Sequence, residues 1–339
     1  CGTAYINGVG LGFANVIKSG RVGCIAASGT GLQAVVCELD RLGEGVSHGI
    51  GVGGRDLSRE VNGIMTKYAL ELLEQDPATE VIILLSKPPH ADVIAMLESL
   101  CSVMSTPVVT CFQGARLEGD TFVQASTLDE AAAMAACLVN GSDYVAHSFT
   151  EPQRVSALLD RVGNKAAGKR VVGLFTGGTL AKEAQLLLSK DLGFVAKSLE
   201  EEPTHSVVDL GDDQYTIGRP HPMIAPEART EKLIELAQNG GFASCGVVLV
   251  DLVLGNGSHL DPAGELIESI KILRNSYKLS PEIVAVVIGT EMDPQDVQGQ
   301  IQGLEGSGIT VFRSNSEAVR YAAMLALPEA RTHYMTEAP

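Results

Sequence analysis

Short, unbroken apolar runs alternate along this chain with stretches whose apolar residues recur every three or four positions. The runs Arg21–Ala27, Val46–Val52, Val81–Ser86, Val108–Phe112 and, more briefly, Phe122–Ala125 predict strands. The periodic stretches Leu32–Leu42, Ser58–Gln75, Asp92–Met104 and Leu128–Val139 predict helices. A strand that is apolar throughout, rather than at every second residue, has both faces covered, as in a parallel sheet clothed by helices. The second half repeats the alternation, with strands over Val171–Thr176, Val247–Asp251, Ile283–Gly289 and Ile309–Phe312. Its helices are predicted over Leu180–Leu192, Pro226–Asn239, Pro262–Asn275, Pro294–Glu305 and Glu317–Leu327. Proline opens several of them, where its missing N–H has no helical partner to lose. Short connections and right-handed crossovers make two doubly wound, flavodoxin-like parallel sheets the economical α/β topology.

The halves also share residues. Val22-Gly23-Cys24-Ile25 before Ser28-Gly29-Thr30 parallels Val172-Gly173-Leu174-Phe175 before Gly177-Gly178-Thr179. Ser126-Thr127-Leu128-Asp129-Glu130-Ala131 parallels Ser314-Asn315-Ser316-Glu317-Ala318 at the far end of each half. Two matches in the same order point to duplication or paralogous fusion. The expected organisation is a domain over 1–140, a linker over 141–169, a second domain over 170–327 and a tail over 328–339.

Composition narrows the partners. The 339 residues suffice for two cores, and 37 Gly with no Trp suit tight strand-to-helix turns. A formal charge of -16 with scattered basic residues argues against nucleic acid, so any anionic ligand must be held locally. No apolar run is long enough for a membrane span, and no signal peptide is visible. The seven Cys include no C-x-x-C pair and no zinc spacing, so neither a disulfide framework nor a metal is expected, and a reducing cytoplasm fits. The chain opens Cys1-Gly2 rather than with Met, which leads one to expect sequence upstream.

Ligands of open α/β sheets gather beyond the carboxyl ends of the strands. There Ser28-Gly29-Thr30-Gly31 and Gly177-Gly178-Thr179 each follow a strand and open a helix. Glycine lets backbone approach an anion, and the first helical N–H groups are unpaired and lie at the positive end of the dipole. One such turn is as readily only a tight turn; two in equivalent places favour phosphate binding. Gly53-Gly54-Arg55-Asp56 offers close backbone contact, a cation and a helix cap, or simply a flexible turn with a solvated arginine. Lys87 stands at a strand's carboxyl end before Pro88-Pro89, as an anion ligand or a surface lysine. In Gly218-Arg219-Pro220-His221-Pro222 two prolines pin a histidine beside an arginine fork, which suits His221 to acid, base or donor work. Asp251 ends a strand ahead of Leu254-Gly255-Asn256-Gly257, so Asp251 and Asn256 are candidate substrate contacts, with Gly53 and Gly54.

Together with Cys1-Gly2-Thr3, Ala26-Ala27, Leu57-Ser58, Ser86, Thr176, Leu180, Asp209-Leu210-Gly211-Asp212-Asp213 and Met223-Ile224, these loops resemble the FdrA proteins, an offshoot of the ADP-forming succinyl-CoA synthetase superfamily. The resemblance covers most of the chain. It implies that residues 1–140 are similar to the ligase domain of the synthetase α subunit, and residues 170–327 to the carboxyl-terminal domain of the β subunit. In the synthetases a helix start from each domain grips the phosphate of a phosphohistidine; Ser28–Gly31 and Gly177–Thr179 match those starts. Two departures matter. The loop matching the phosphorylated histidine, Gly114–Ser126, contains no His, and Lys87 stands in the loop where the synthetases carry an orienting Glu. The anion cradle remains while the relay is gone.

The resemblance further implies a subunit of an oxamate carbamoyltransferase in purine and allantoin breakdown. Phosphate held by the helix starts would attack the carbamoyl carbon of oxalurate; Arg55, Lys87 and Arg219 would neutralise charge, and His221 would protonate the departing nitrogen. The expected ligand is phosphate or an acyl or carbamoyl phosphate. CoA would enter only through an upstream domain, and an ATP-grasp domain only from another chain. Expected partners are other subunits or a second copy, and a small anionic substrate. Two alternatives stay open: an ADP-forming acyl-CoA synthetase subunit phosphorylated on His221, and a non-catalytic scaffold.

Overall fold

The computed structural model describes residues 2–199, 204–277 and 281–335, and these fall into two compact units. One unit runs through Tyr144 and takes in Gly255–Gly257; the other comprises Val145–Leu254 and the chain from Ser258 onward.

The first unit has strands β1 (Thr3–Ile6), β2 (Val9–Gly12), β3 (Val22–Ala26), β4 (Val46–Gly51), β5 (Val81–Ser86), β6 (Val108–Phe112) and β7 (Val123–Gln124). They lie in the order β2-β1-β4-β3-β5-β6-β7, and all pairings from β4 to β7 are parallel. Helices α1 (Gly29–Arg41) and α4 (Leu128–Asn140) pack together, while α2 (Ile64–Gln75) and α3 (Ala91–Cys101) share a core with β3, β5 and β6. Ile82, Ile83 and Leu84 are wholly buried, as a strand covered on both faces requires.

The second unit begins with α5 (Pro152–Val162) and continues β8 (Arg170–Phe175), α6 (Gly178–Leu192), β9 (Val195–Ala196), β10 (His205–Asp209), α7 (Asp213–Thr216) and α8 (Glu227–Gln238). Then come β11 (Cys245–Val253), α9 (Pro262–Tyr277), β12 (Glu282–Ile288), α10 (Val297–Gly306), β13 (Thr310–Phe312), α11 (Asn315–Ala326) and α12 (Ala330–Met335). Its sheet runs β13-β12-β11-β8-β10-β9, all parallel. In both units the first strand of the parallel set, β3 or β8, lies between β4 or β10 on one side and β5 or β11 on the other. That order is doubly wound and flavodoxin-like, and it places the strand order's reversal at β3 and β8, directly before α1 and α6.

Several elements differ from the sequence reading. An antiparallel hairpin, β1–β2, precedes the parallel set and pairs through β1 with β4. Its turn is Asn7-Gly8, both at positive φ (50° and 75°), the conformation a tight two-residue hairpin needs. Helix α2 starts at Ile64 rather than Ser58, because Asn62 and Gly63 take positive φ (57° and 66°) and break any helix running through them. The stretch 141–169, read as a linker, holds α5, whose Val155, Leu159 and Val162 are buried. Residues 328–335, read as tail, hold α12, with Ala330 and Tyr334 buried; the rest of that tail, and Cys1, lie outside the described residues.

Candidate functional site

In the first unit three loops adjoin at the carboxyl edge of the sheet. The Ala27 amide donates to the Leu85 carbonyl (2.9 Å), the Val52 amide to the Ala26 carbonyl (2.9 Å) and the Gln113 amide to the Ser86 carbonyl (3.0 Å). Ser28 is the N-cap of α1, with extended backbone (φ -134°, ψ 138°), and its Oγ accepts from the Gly31 amide at 3.3 Å. Ser28, Gly29 and Thr30 are partly exposed, while Gly31 is buried. The helix that follows carries no acidic residue in its first turn, so the positive end of its dipole is not offset from within.

Beside this start lies the Gly53-Gly54-Arg55-Asp56 loop. Gly53 has φ +88°, a conformation that excludes most side chains, and Gly54 is exposed. Asp56 has a structural task. Its Oδ1 accepts from the Met65 amide (3.0 Å), and its Oδ2 from the Thr66 amide (2.9 Å) and Thr66 hydroxyl (2.6 Å). It thereby caps α2, whose own N-cap, Gly63, has no side chain. Arg55 and Lys87 are exposed, and among the described residues neither side chain has an ion pair or hydrogen bond.

The second unit furnishes its equivalent turn differently. Gly177 is the N-cap of α6 and supplies no capping side chain. Instead Asp251, wholly buried in β11, reaches the turn: Oδ1 accepts from the Thr176 amide (2.7 Å) and hydroxyl (3.0 Å), and Oδ2 from the Gly177 amide (2.8 Å). Arg229 of α8, itself buried, donates to Asp251 Oδ1 (2.9 Å) and to the Asp251 carbonyl (2.6 Å). With no exposed surface and both oxygens engaged, the Asp251 side chain supports the turn and does not reach a surface where a substrate could meet it.

Two more groups approach the α6 start. A Cβ at Gly178 would collide with the Asp209 carboxylate, so this negative group lies against the first helical residue. That changes the expectation for Gly177, Gly178 and Thr179: a phosphate at this start would face a resident carboxylate, whereas α1 carries no acidic residue in its first turn. A Cβ at Gly211 would lie 2.7 Å from His221 Nε2 and 2.7 Å from the Thr176 carbonyl, so the imidazole reaches the same turn. His221 Nδ1 accepts from the Met223 amide (3.3 Å), which leaves the ring proton on Nε2 in the neutral form. Burial pushes the His221 pKa below its ordinary value, against the opposing pull of Asp251. With Nδ1 accepting, Nε2–H of the neutral ring is a hydrogen-bond donor. Arg219 is exposed and pairs with Glu231 (2.7 Å), which offsets the fork expected to meet substrate. Asn256 lies with the first unit, where its backbone exchanges hydrogen bonds with Ala14 (2.8 and 3.3 Å) and its side chain is exposed.

Arg229 is the residue the sequence reading missed. A charged side chain inside the apolar run Cys245–Val253 demands a buried partner, and Asp251 was that signal. Among the described residues no group of three or more His, Cys, Asp or Glu is arranged to hold a metal, and no helix is long and apolar enough to cross a membrane. Cys24 and Cys101 are buried with thiol pKa values pushed up to about 12, which removes them as nucleophiles.

Residues 174–325 match the CoA-ligase family. The Escherichia coli (strain K12) protein YahF is 36% identical over 338 residues, covering 93% of this chain and 64% of YahF. The α subunit of the ADP-forming succinate–CoA ligase of Aquifex aeolicus (strain VF5) is 29% identical over 79 residues, 23% of this chain and 25% of that subunit. Among solved structures, dinucleotide-forming acetyl-coenzyme A synthetase 1 of Ca. Korarchaeum cryptofilum, in complex with phosphate and ADP, is 16% identical with a TM-score of 0.39, over 94% of this chain and 67% of that one. The chain spans less than two thirds of the length of YahF and a quarter of the ligase subunit.

Proposed function

We propose that the first unit holds inorganic phosphate at the start of α1, and that the chain is a subunit of a phosphate-dependent carbamoyltransferase of purine and allantoin breakdown. The observation that carries this is the pairing of an uncapped-by-acid helix start, Ser28–Gly31, with two exposed, unpaired cations, Arg55 and Lys87, on the neighbouring loops. In a chain of formal charge -16, unpaired cations beside converging amides favour a small anion locally while the remaining surface repels polyanions.

The chemistry asks little more of this unit. An oxygen of monohydrogen phosphate bonds to the carbamoyl carbon of oxalurate, and the bond from that carbon to the oxamate nitrogen breaks. The electron pair goes to nitrogen, which gains the proton the phosphate loses, so carbamoyl phosphate and oxamate form with no net change of charge. Amides and cations that stabilise the charge building on the attacked oxygen contribute through preorganisation, without a covalent enzyme intermediate. Lys87, in the loop where the synthetases place a carboxylate, supports direct phosphate binding over phosphohistidine chemistry.

A second reading, an acid–thiol ligase subunit, is favoured by the CoA-ligase match over residues 174–325. The test is a phosphate-dependence assay of the chain with its co-purifying partners, using oxalurate in one arm and short acyl-CoAs in the other. Carbamoyl phosphate from the first arm, lost in Lys87→Glu, supports the proposal; acyl phosphate from the second arm alone favours the ligase.

A further inference from the structure

Helix α2 is apolar on two sides. Ala69, Leu70 and Leu73 are buried in the core shared with β3 and β5, and Thr66 is buried against Asp56. On the other side Ile64, Met65, Tyr68 and Leu72 are 66%, 46%, 58% and 46% exposed. At 3.6 residues per turn these four form one stripe, roughly 100° wide, away from the core. A surface helix ordinarily carries polar residues there. One exposed apolar side chain needs no explanation, but four side by side on a helix of 12 residues mark a face that something covers.

The residues bordering the stripe decide what covers it. Lys67 and Glu71 line one of its edges, Lys67 exposed and Glu71 partly so. Among the described residues neither side chain has an ion pair or hydrogen bond. Lysine four residues before glutamate is the weaker order for a pair within one helix, so both charges are left for another partner. The stripe reads the same in both directions about Tyr68, with Ile64 and Leu72 four residues to either side. A two-fold axis perpendicular to the helix therefore lays a second α2 antiparallel on the first, Tyr68 against Tyr68 and Ile64 against Leu72. The same axis keeps like edges together and reverses their heights, so each Lys67 faces the second copy's Glu71. Self-complementarity of this kind is what an isologous dimer requires. The balanced pair also keeps this face locally neutral in a chain of formal charge -16, whose copies otherwise repel.

We propose that the exposed face of α2 is a self-association surface on which a second copy of the chain docks antiparallel, with two Lys67–Glu71 pairs closing its edge. One helix pair covers less than the roughly 1,200 Å² of a standard interface, so the expected dimer is a reversible one with a micromolar Kd. The surface takes no part in phosphate binding, and the inference stands apart from that reading.

The experiment is analytical ultracentrifugation of the full chain between about 1 and 200 μM, where a micromolar dimer dissociates and re-forms. The parent is expected to show a monomer–dimer equilibrium, and Tyr68→Asp to weaken it about tenfold or more by burying a charge at the centre. Lys67→Glu and Glu71→Lys each put like charges across the two-fold, and each alone is expected to weaken the dimer about threefold or more. Mixed in equal amounts, these two variants regain both opposite-charge pairs and are expected to associate more tightly than either does alone. All three substitutions are at the surface, and melting within about 2 °C of the parent checks that each variant folds. A parent that stays monomeric, a dimer indifferent to Tyr68→Asp, or a mixture no tighter than its components overturns the proposal. So does protection of Tyr68 from hydrogen exchange by a co-purifying protein in a monomeric chain, which assigns the face to that protein.

Discussion

The carboxylate of Asp209, at the end of β10, lies against the α-carbon of Gly178, the first residue of α6. Gly178→Ala inserts a methyl group where that carboxylate stands. It is expected to destabilise the chain by about 1–3 kcal/mol, the usual cost of overpacking. Adding Asp209→Ala removes the obstruction, so urea melts of the two single variants and the double variant are expected to show coupling: the second substitution recovers much of what the first lost. Strict additivity would mean that the two groups do not meet.

Asp56 holds the start of α2 with both carboxylate oxygens. Asp56→Ala leaves the Met65 and Thr66 amides and the Thr66 hydroxyl without their acceptor, in a helix whose N-cap is Gly63. A loss of about 1–3 kcal/mol is expected, with Asp56→Asn intermediate. Hydrogen exchange is the sharper probe, because protection should fall first at Met65 and Thr66.

Glu74 carries a pH prediction. Its partial burial favours the neutral acid, but hydrogen bonds from Thr106 and Ser105 outweigh it, and its pKa falls from 4.5 to about 2. A carboxylate whose folded pKa lies below its unfolded one adds stability that is complete above about 4.5 and is lost as pH falls toward 2. Glu74→Gln is expected to flatten the stability profile in that window and leave the slope above pH 6 unchanged. A parallel slope in parent and variant would refute the assignment.

Lys87→Glu restores the charge that the synthetases carry in this loop and reverses the field at the proposed phosphate. Inorganic phosphate affinity is expected to fall by about tenfold or more, with Lys87→Gln between the two and a smaller effect at high salt. Titration calorimetry at two ionic strengths measures both. Equal affinities in parent and Lys87→Glu would remove Lys87 from the site.

Much of the fold was legible because buried parallel strands announce themselves as unbroken apolar runs; β5 and β6 fall on the expected residues. The elements that escaped are those whose signals are short or compete. β2, Val9–Gly12, alternates with glycine and has no apolar run, although Asn7-Gly8 was a hairpin turn signal in plain view. β10, His205–Asp209, has polar residues at both ends and only Val207-Val208 as an apolar run between them. Around α2 the apolar period runs smoothly through Asn62 and Gly63, and only their backbone conformation sets the start at Ile64. At the sites, the glycine-led helix starts were visible because the same strand–glycine–helix pattern occurs at equivalent places in both halves. Arg229 was not, since an arginine among Glu227, Glu231 and Lys232 on an amphipathic helix looks like a solvent-facing charge. Its burial follows from Asp251 through tertiary packing, which no local pattern encodes.

The central claim is that the α1 start receives phosphate, and backbone amide resonances of the first unit test it most directly. Titrating inorganic phosphate into the full chain should shift Gly29, Thr30 and Gly31 together, saturably, with the response weakened in Lys87→Glu and Arg55→Ala. Saturable phosphate binding that leaves those three amides unmoved, or no binding at millimolar phosphate, would contradict it.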